Sequence, residues 1–179
     1  MKIDLIPFCD TYNTRYAINT PRIIDGQAYA TDCRVLIRCD PSHANDFTGE
    51  DGKFPKVQSF MEKIAQVKKW GLVEVESCNH CNSKGTITSQ CDVCDSLGNY
   101  TCPTCEHEQE CFECDGNGNV TKDCQCRERT IGKVMLAAKY LYLVDHLPGV
   151  EWQLDAKQAD PVFFRFAHGD GALMGISTE

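Results

Sequence analysis

Over the first forty residues apolar positions come in short runs separated by turn formers: KIDLIPF (2–8), RII (22–24), QAYAT (27–31) and RVLIRC (34–39). Asp25-Gly26 between two such runs is a strong hairpin signal, so this stretch predicts a small β meander. Residues 40–56 are rich in turn formers and read as a loop. From Val57 the apolar spacing changes to that of a helix, with Val57, Phe60, Met61, Ile64 and Val67 on one face, stopping near Trp70-Gly71. GLVEVES (71–77) then alternates as a strand does. A further strand is expected at TIGKVML (130–136) and a helix over Ala137–Leu147, ended by Pro148-Gly149. The tail reads as three strands, VEWQLD, PVFFRFA and ALMGI, with His168-Gly169-Asp170-Gly171 as a turn. Trp70 and Trp152 are assigned to the core.

This pattern is α+β, a small antiparallel sheet with two helices, and it breaks between residues 78 and 126. That segment is poor in large apolar residues and cannot build a core of its own, while apolar elements lie on both sides of it. The expected organisation is a host domain made of 1–77 and 127–179, about 130 residues and enough for one core, with 78–126 as an inserted module.

What the insertion has in place of apolar residues is cysteine. Ten of the thirteen cysteines fall within it: Cys78, Cys81, Cys91, Cys94, Cys102, Cys105, Cys111, Cys114, Cys124 and Cys126. The first ten residues, MKIDLIPFCD, hold no apolar run of signal-peptide length, so a cytoplasmic protein is expected and a disulfide framework is disfavoured. The longest apolar run, 134–144, is interrupted by Lys139 and falls short of the roughly 20 residues that span a bilayer. Metal ligation is therefore the leading use of the thiols. Cys9, Cys33 and Cys39, outside the insertion, read as buried, inert thiols.

Four Cys-x-x-Cys pairs follow one another: CNHC (78–81), CDVC (91–94), CPTC (102–105) and CFEC (111–114), then a shorter pair at Cys124 and Cys126. Two thiolates on one tight turn can point at a single ion, and two such turns complete a tetrahedral zinc site. All-cysteine sites leave no coordination position open, so these predict structural ions. Ten ligand-type cysteines exceed the eight that two sites need. Cys124 and Cys126 therefore stand as alternatives to one of the four pairs, for instance in a site with Cys111 and Cys114. His80 and His107 lie in or beside these turns and are expected to face solvent.

Charge narrows the partners. The chain carries −8, and the insertion holds two bases (Lys84, Lys122) against eight acids. Four-thiolate zinc sites add about −2 each. A surface of that sign repels phosphate backbones, so nucleic acid is disfavoured and a protein partner is expected.

CFECDGNG (111–118) has the form Cys-x-x-Cys-x-Gly-x-Gly and resembles the repeat of the cysteine-rich zinc-binding region of DnaJ-type chaperones. CNHCNSKG (78–85) and CDVCDSLG (91–98) keep the final glycine, and CPTCEHEQ (102–109) keeps neither. The resemblance spans about 78–120. It implies two zinc ions bound by Cys78, Cys81, Cys91, Cys94, Cys102, Cys105, Cys111 and Cys114, with the first pair sharing an ion with the fourth and the second with the third. It also implies a zinc-knuckle β-hairpin module and a chaperone-like, client-binding or other protein-binding role. No His-Pro-Asp tripeptide occurs, so no J domain is expected. More weakly, the flanks resemble one domain of a sliding DNA clamp, in DGQAYATDCRVLIRC (25–39) and in the helix and closing strands from Lys139 onward. That resemblance implies a clamp-like alternation of helix and sheet and, as an alternative function, a DNA-clamp-related accessory protein.

The leading expectation is a non-enzymatic zinc-binding protein that engages another protein. The alternative within the insertion is a redox-responsive protein using CPTC for thiol–disulfide exchange.

Overall fold

The computed structural model describes residues 2–10, 17–45, 53–74, 78–82, 84–124, 128–158 and 160–176. The chain divides into two compact units, residues 1–76 with 128–179, and residues 77–127. Along the chain run β1 (Arg22–Ile24), β2 (Gln27–Thr31), β3 (Val35–Cys39), α1 (Gln58–Gln66), β4 (Trp70–Gly71), β5 (Thr86–Gln90), β6 (Asn99–Thr101), β7 (Glu108–Glu110), β8 (Asn119–Asp123), β9 (Glu128–Ile131), β10 (Val134–Ala137), α2 (Ala138–Asp145), β11 (Glu151–Gln153), β12 (Val162–Phe166) and β13 (Gly169–Leu173). The protein is α+β, as the pattern predicts.

The first unit is built on a seven-stranded sheet in the order β1-β2-β3-β13-β12-β11-β4, antiparallel throughout. Alternation along β12 assigns its two faces. Val162, Phe164 and Phe166 join Ile37, Trp152 and the α2 residues Tyr140, Leu141 and Val144 in the main core, where the Trp152 and Phe164 rings lie 5.5 Å apart. Phe163 points the other way, with Ala172, to meet Ile64, Phe60 and Met61 of α1. One helix thus covers each face of the sheet. Trp152 is buried, and half-buried Trp70 packs in the α1 cluster beneath the Arg165 guanidinium, 5.0 Å from its ring centre.

Local turn chemistry accounts for the meander. Asp25 and Gly26 both have positive φ, as their two-residue hairpin turn requires, and β1 pairs β2 across it. The Asp32 carboxylate accepts from the N–H groups of Arg34 and Val35 at 2.8 and 2.9 Å and also accepts the Tyr140 hydroxyl, fixing the β2–β3 turn to α2.

Four sequence expectations are corrected. KIDLIPF forms an isolated bridge at Ile3 and a 3-10 turn at Ile6–Phe8, because Pro7 has no N–H to give a ladder. Of the described residues in 71–77 only Gly71 is in a strand, the short β4, and residues 75–77 lie outside those described. TIGKVML is a hairpin, β9–β10, turning at Gly132. Gly169-Asp170-Gly171 is strand, and the turn is Ala167-His168. Gly171 lies between the Leu36 carbonyl and the Phe164 ring, each 2.3 Å from where a Cβ would stand, so close packing explains a glycine that reads as a turn. Among the described residues no helix is long and apolar enough to cross a membrane.

Candidate metal centres

The second unit is a nested hairpin. The outer ladder pairs β5 with β8, from Thr86↔Asp123 to Gln90↔Asn119, and the inner ladder pairs β6 with β7, from Asn99↔Glu110 to Thr101↔Glu108. These ladders decide which cysteine turns face each other. The outer one sets Gly85 beside Cys124 at its base and Cys91 beside Gly118 at its top. The inner one sets Gly98 beside Cys111 and carries Cys102 and Cys105 at its far end.

Between the ladders, Cys91, Cys94, Cys111 and Cys114 converge, with all four Sγ atoms within 4.8 Å of one another. Cys91 and Cys111 are 3.7 Å apart, as are Cys94 and Cys114. A disulfide requires about 2.05 Å, whereas four thiolates about 2.3 Å from a tetrahedral zinc stand about 3.8 Å apart. The spacing is that of a metal shell. The two turns are related by an internal twofold in their bonding. The Cys91 N–H donates to the Gly118 carbonyl at 3.0 Å and the Cys111 N–H to the Gly98 carbonyl at 2.8 Å. The N–H groups of Gly98 and Gly118 donate to the Cys94 and Cys114 sulfurs at 3.3 and 3.2 Å. Each of these glycines has positive φ, and a Cβ on either would stand 2.2 Å from a carbonyl oxygen of the opposing turn. Among the described residues, Tyr100 and Val120 are the apolar side chains packed against these four buried cysteines, so the thiols are themselves the centre of the unit.

At the base, Cys78, Cys81 and Cys124 form a second buried group, with Cys78 and Cys124 sulfurs 3.8 Å apart and Ile87 against them. The Cys124 N–H donates to the Gly85 carbonyl at 2.8 Å, repeating the bond from Cys111 to Gly98. Cys126 lies outside the described residues.

The donor chemistry fits a divalent ion with thiolate preference. Burial pushes the Cys114 thiol up to about 12, against a smaller lowering by the Gly118 N–H, and the thiols of Cys94, Cys111 and Cys91 push it further up. A bound cation of the right charge removes the cost of ionising Cys114 in that setting. Zinc would be held by Cys91, Cys94, Cys111 and Cys114 in one site and by Cys78, Cys81 and Cys124 in the other. A closed four-thiolate shell orders the chain and offers no position for a reacting water.

The pairing that the DnaJ resemblance implies is not the one formed. Cys91 and Cys94 meet Cys111 and Cys114, and Cys78 and Cys81 meet Cys124. Cys102 and Cys105 belong to neither group, because the inner ladder carries them away from both. Cys102 is half-buried and Cys105 exposed. The Cys102 thiol is lowered from its ordinary value, chiefly by the Thr104 N–H, then by the N–H and thiol of Cys105. His80 and His107 are exposed and outside both groups. Of the three cysteines elsewhere, Cys39 is buried and Cys9 half-buried, and burial raises each to about 11. Cys33 is exposed, contrary to expectation, because it occupies a left-handed turn position with φ 70°.

No protein-family model, no curated protein and no solved structure matches this chain.

Proposed function

We propose that the protein is a non-enzymatic, two-zinc protein whose nested hairpin presents a rigid surface for binding another protein. The observation that carries the reading is the pair of buried thiol groups with sulfurs 3.7 to 3.8 Å apart, in a unit otherwise nearly without a core. The order of pairing supports a relation to the DnaJ-type region. With Cys102 and Cys105 set aside, the first turn meets the last and the second meets the third, the nesting that region uses. A client-binding role draws support from Val93, Leu97 and Phe112, which are 52%, 76% and 71% exposed on the turns around the central site. Large apolar side chains held outward by a rigid frame are a recognised sign of a docking surface. They sit among exposed acids, Asp92, Asp95, Glu113 and Asp115, which favour a partner with apolar and basic segments and oppose a DNA-clamp role.

The test is suppression of aggregation of a reduced, unfolded client by the full chain, compared with Leu97→Ser and Phe112→Ser. The reading predicts protection by the native chain and its loss in the variants with zinc content unchanged. A native chain that neither binds nor protects the client contradicts the docking role.

A further inference from the structure

Each of the four Cys-x-x-Cys turns ends in the same way. The residue after the second cysteine is left-handed in every case: Asn82 (φ 48°), Asp95 (49°), Glu106 (58°) and Asp115 (46°). At the tip the Glu106 N–H donates to the Cys102 carbonyl at 2.9 Å, as the Asn82 N–H donates to the Cys78 carbonyl at 2.7 Å. The Cys102 N–H closes the turn on the His107 carbonyl at 2.9 Å. The CPTC turn therefore ends on a left-handed residue, as do the turns that gather sulfurs elsewhere in the unit, and shares the closing bond of the base turn. The central turns close one residue later, the Ser96 N–H on the Cys91 carbonyl at 3.1 Å and the Gly116 N–H on the Cys111 carbonyl at 3.2 Å. The CPTC turn differs from all three in having nothing opposite. The base and central levels each set a turn against cysteines from the returning strand, whereas at the tip the chain reverses through the turn itself. Among the described residues no third ligand joins Cys102 and Cys105.

We propose that Cys102 and Cys105 are half of a third zinc site, completed by the same two residues of a second copy of this chain. Two half-sites supply the four thiolates of a closed tetrahedral shell, and a symmetric pairing of identical tips satisfies both copies at once. Four thiols release four protons to solvent as one zinc ion binds, and nothing is oxidised or reduced. Exposed Glu106 and Glu108 flank each tip. Two bare tips repel, so the ion and not the protein surface makes the junction, and raising the salt at fixed zinc strengthens it.

The test is sedimentation velocity of the full reduced chain during zinc titration, with bound metal measured in parallel. The proposal predicts that the mass doubles as about half an additional ion per chain is taken up, and that Cys105→Ser and Cys102→Ser stay monomeric while losing only that increment. Because the internal groups are counted separately, their failure to bind metal would lower the baseline without removing the tip-dependent doubling. A chain that stays monomeric at saturating zinc overturns the proposal, as does a Cys105→Ser variant that dimerises equally well. So does a Cys102–Cys105 disulfide formed by exchange with oxidised glutathione at saturating zinc, which would mark the pair as a redox dithiol.

Discussion

The Cys124 N–H donates to the Gly85 carbonyl at 2.8 Å, and this bond makes Cys124 the base-level counterpart of Cys111, whose N–H reaches the Gly98 carbonyl at the same distance. At the central level the partner of Cys111 follows three residues later, at Cys114. At the base the next cysteine is two residues on, at Cys126. Changing Cys126→Ser is therefore expected to weaken metal at the base while leaving the central site intact. Cobalt substitution reads this as loss of about half the tetrathiolate absorbance of the internal sites. Unchanged absorbance would assign the fourth ligand elsewhere.

Central-site ligands and tip cysteines should part company on substitution. Cys114→Ser removes a buried thiolate from a closed shell, so the second unit should lose one ion and its protection from proteolysis. Cys102→Ser, at the exposed tip, should leave both internal ions and the protease resistance as they were. Elemental analysis with limited proteolysis of the full chain separates the two outcomes.

Glycine substitutions grade the tightness of the central site. Gly118→Ala sets a methyl 2.2 Å from the Ser96 carbonyl oxygen at φ 70°, so the opposing turn must move and the thiol geometry with it. Gly26→Ala meets no atom within 4 Å at φ 76° and should cost only the left-handed backbone strain, about 1–2 kcal/mol of host stability. Metal affinity measured by chelator competition should fall at least tenfold for Gly118→Ala and be unchanged for Gly26→Ala.

The host should lose stability in alkali through Cys39. Burial raises this thiol from 9.0 to about 11. A group whose pKa is raised in the folded state stabilises fully below the unfolded value and loses that contribution as pH climbs through the folded value. The contribution of Cys39 should thus be independent of pH below about 9 and decline toward pH 11, with a slope of at most about 1.4 kcal/mol per pH unit. Denaturant unfolding of Cys39→Ala, which has no thiol to ionise, should show that component of the slope removed.

How much the sequence revealed depends on how local the determining interaction is. The hairpin at Asp25-Gly26, the helix face of Phe60, Met61 and Ile64, and the helix stop at Pro148 are written in neighbouring residues, and each is present. Gly169 and Gly171 misled, because their cause is a carbonyl and a phenyl ring on adjacent strands rather than a local turn. Each Cys-x-x-Cys turn was likewise legible alone, but which turns face each other is set by the register of Asn99–Thr101 against Glu108–Glu110. Those residues are mostly exposed and polar, with no apolar alternation to announce a ladder. Cys124 was visible as a ligand, and only its bond to Gly85 identifies its level.

The central claim is that this chain holds two structural zinc ions in nested thiol groups. Native mass spectrometry of the full-length Cys105→Ser variant, in which the tip is disabled, tests it most directly. The account predicts two zinc ions per monomer, bound with displacement of thiol protons. A Cys105→Ser chain carrying no zinc or only one ion, or one whose zinc content is unchanged when Cys114→Ser is added, would contradict it.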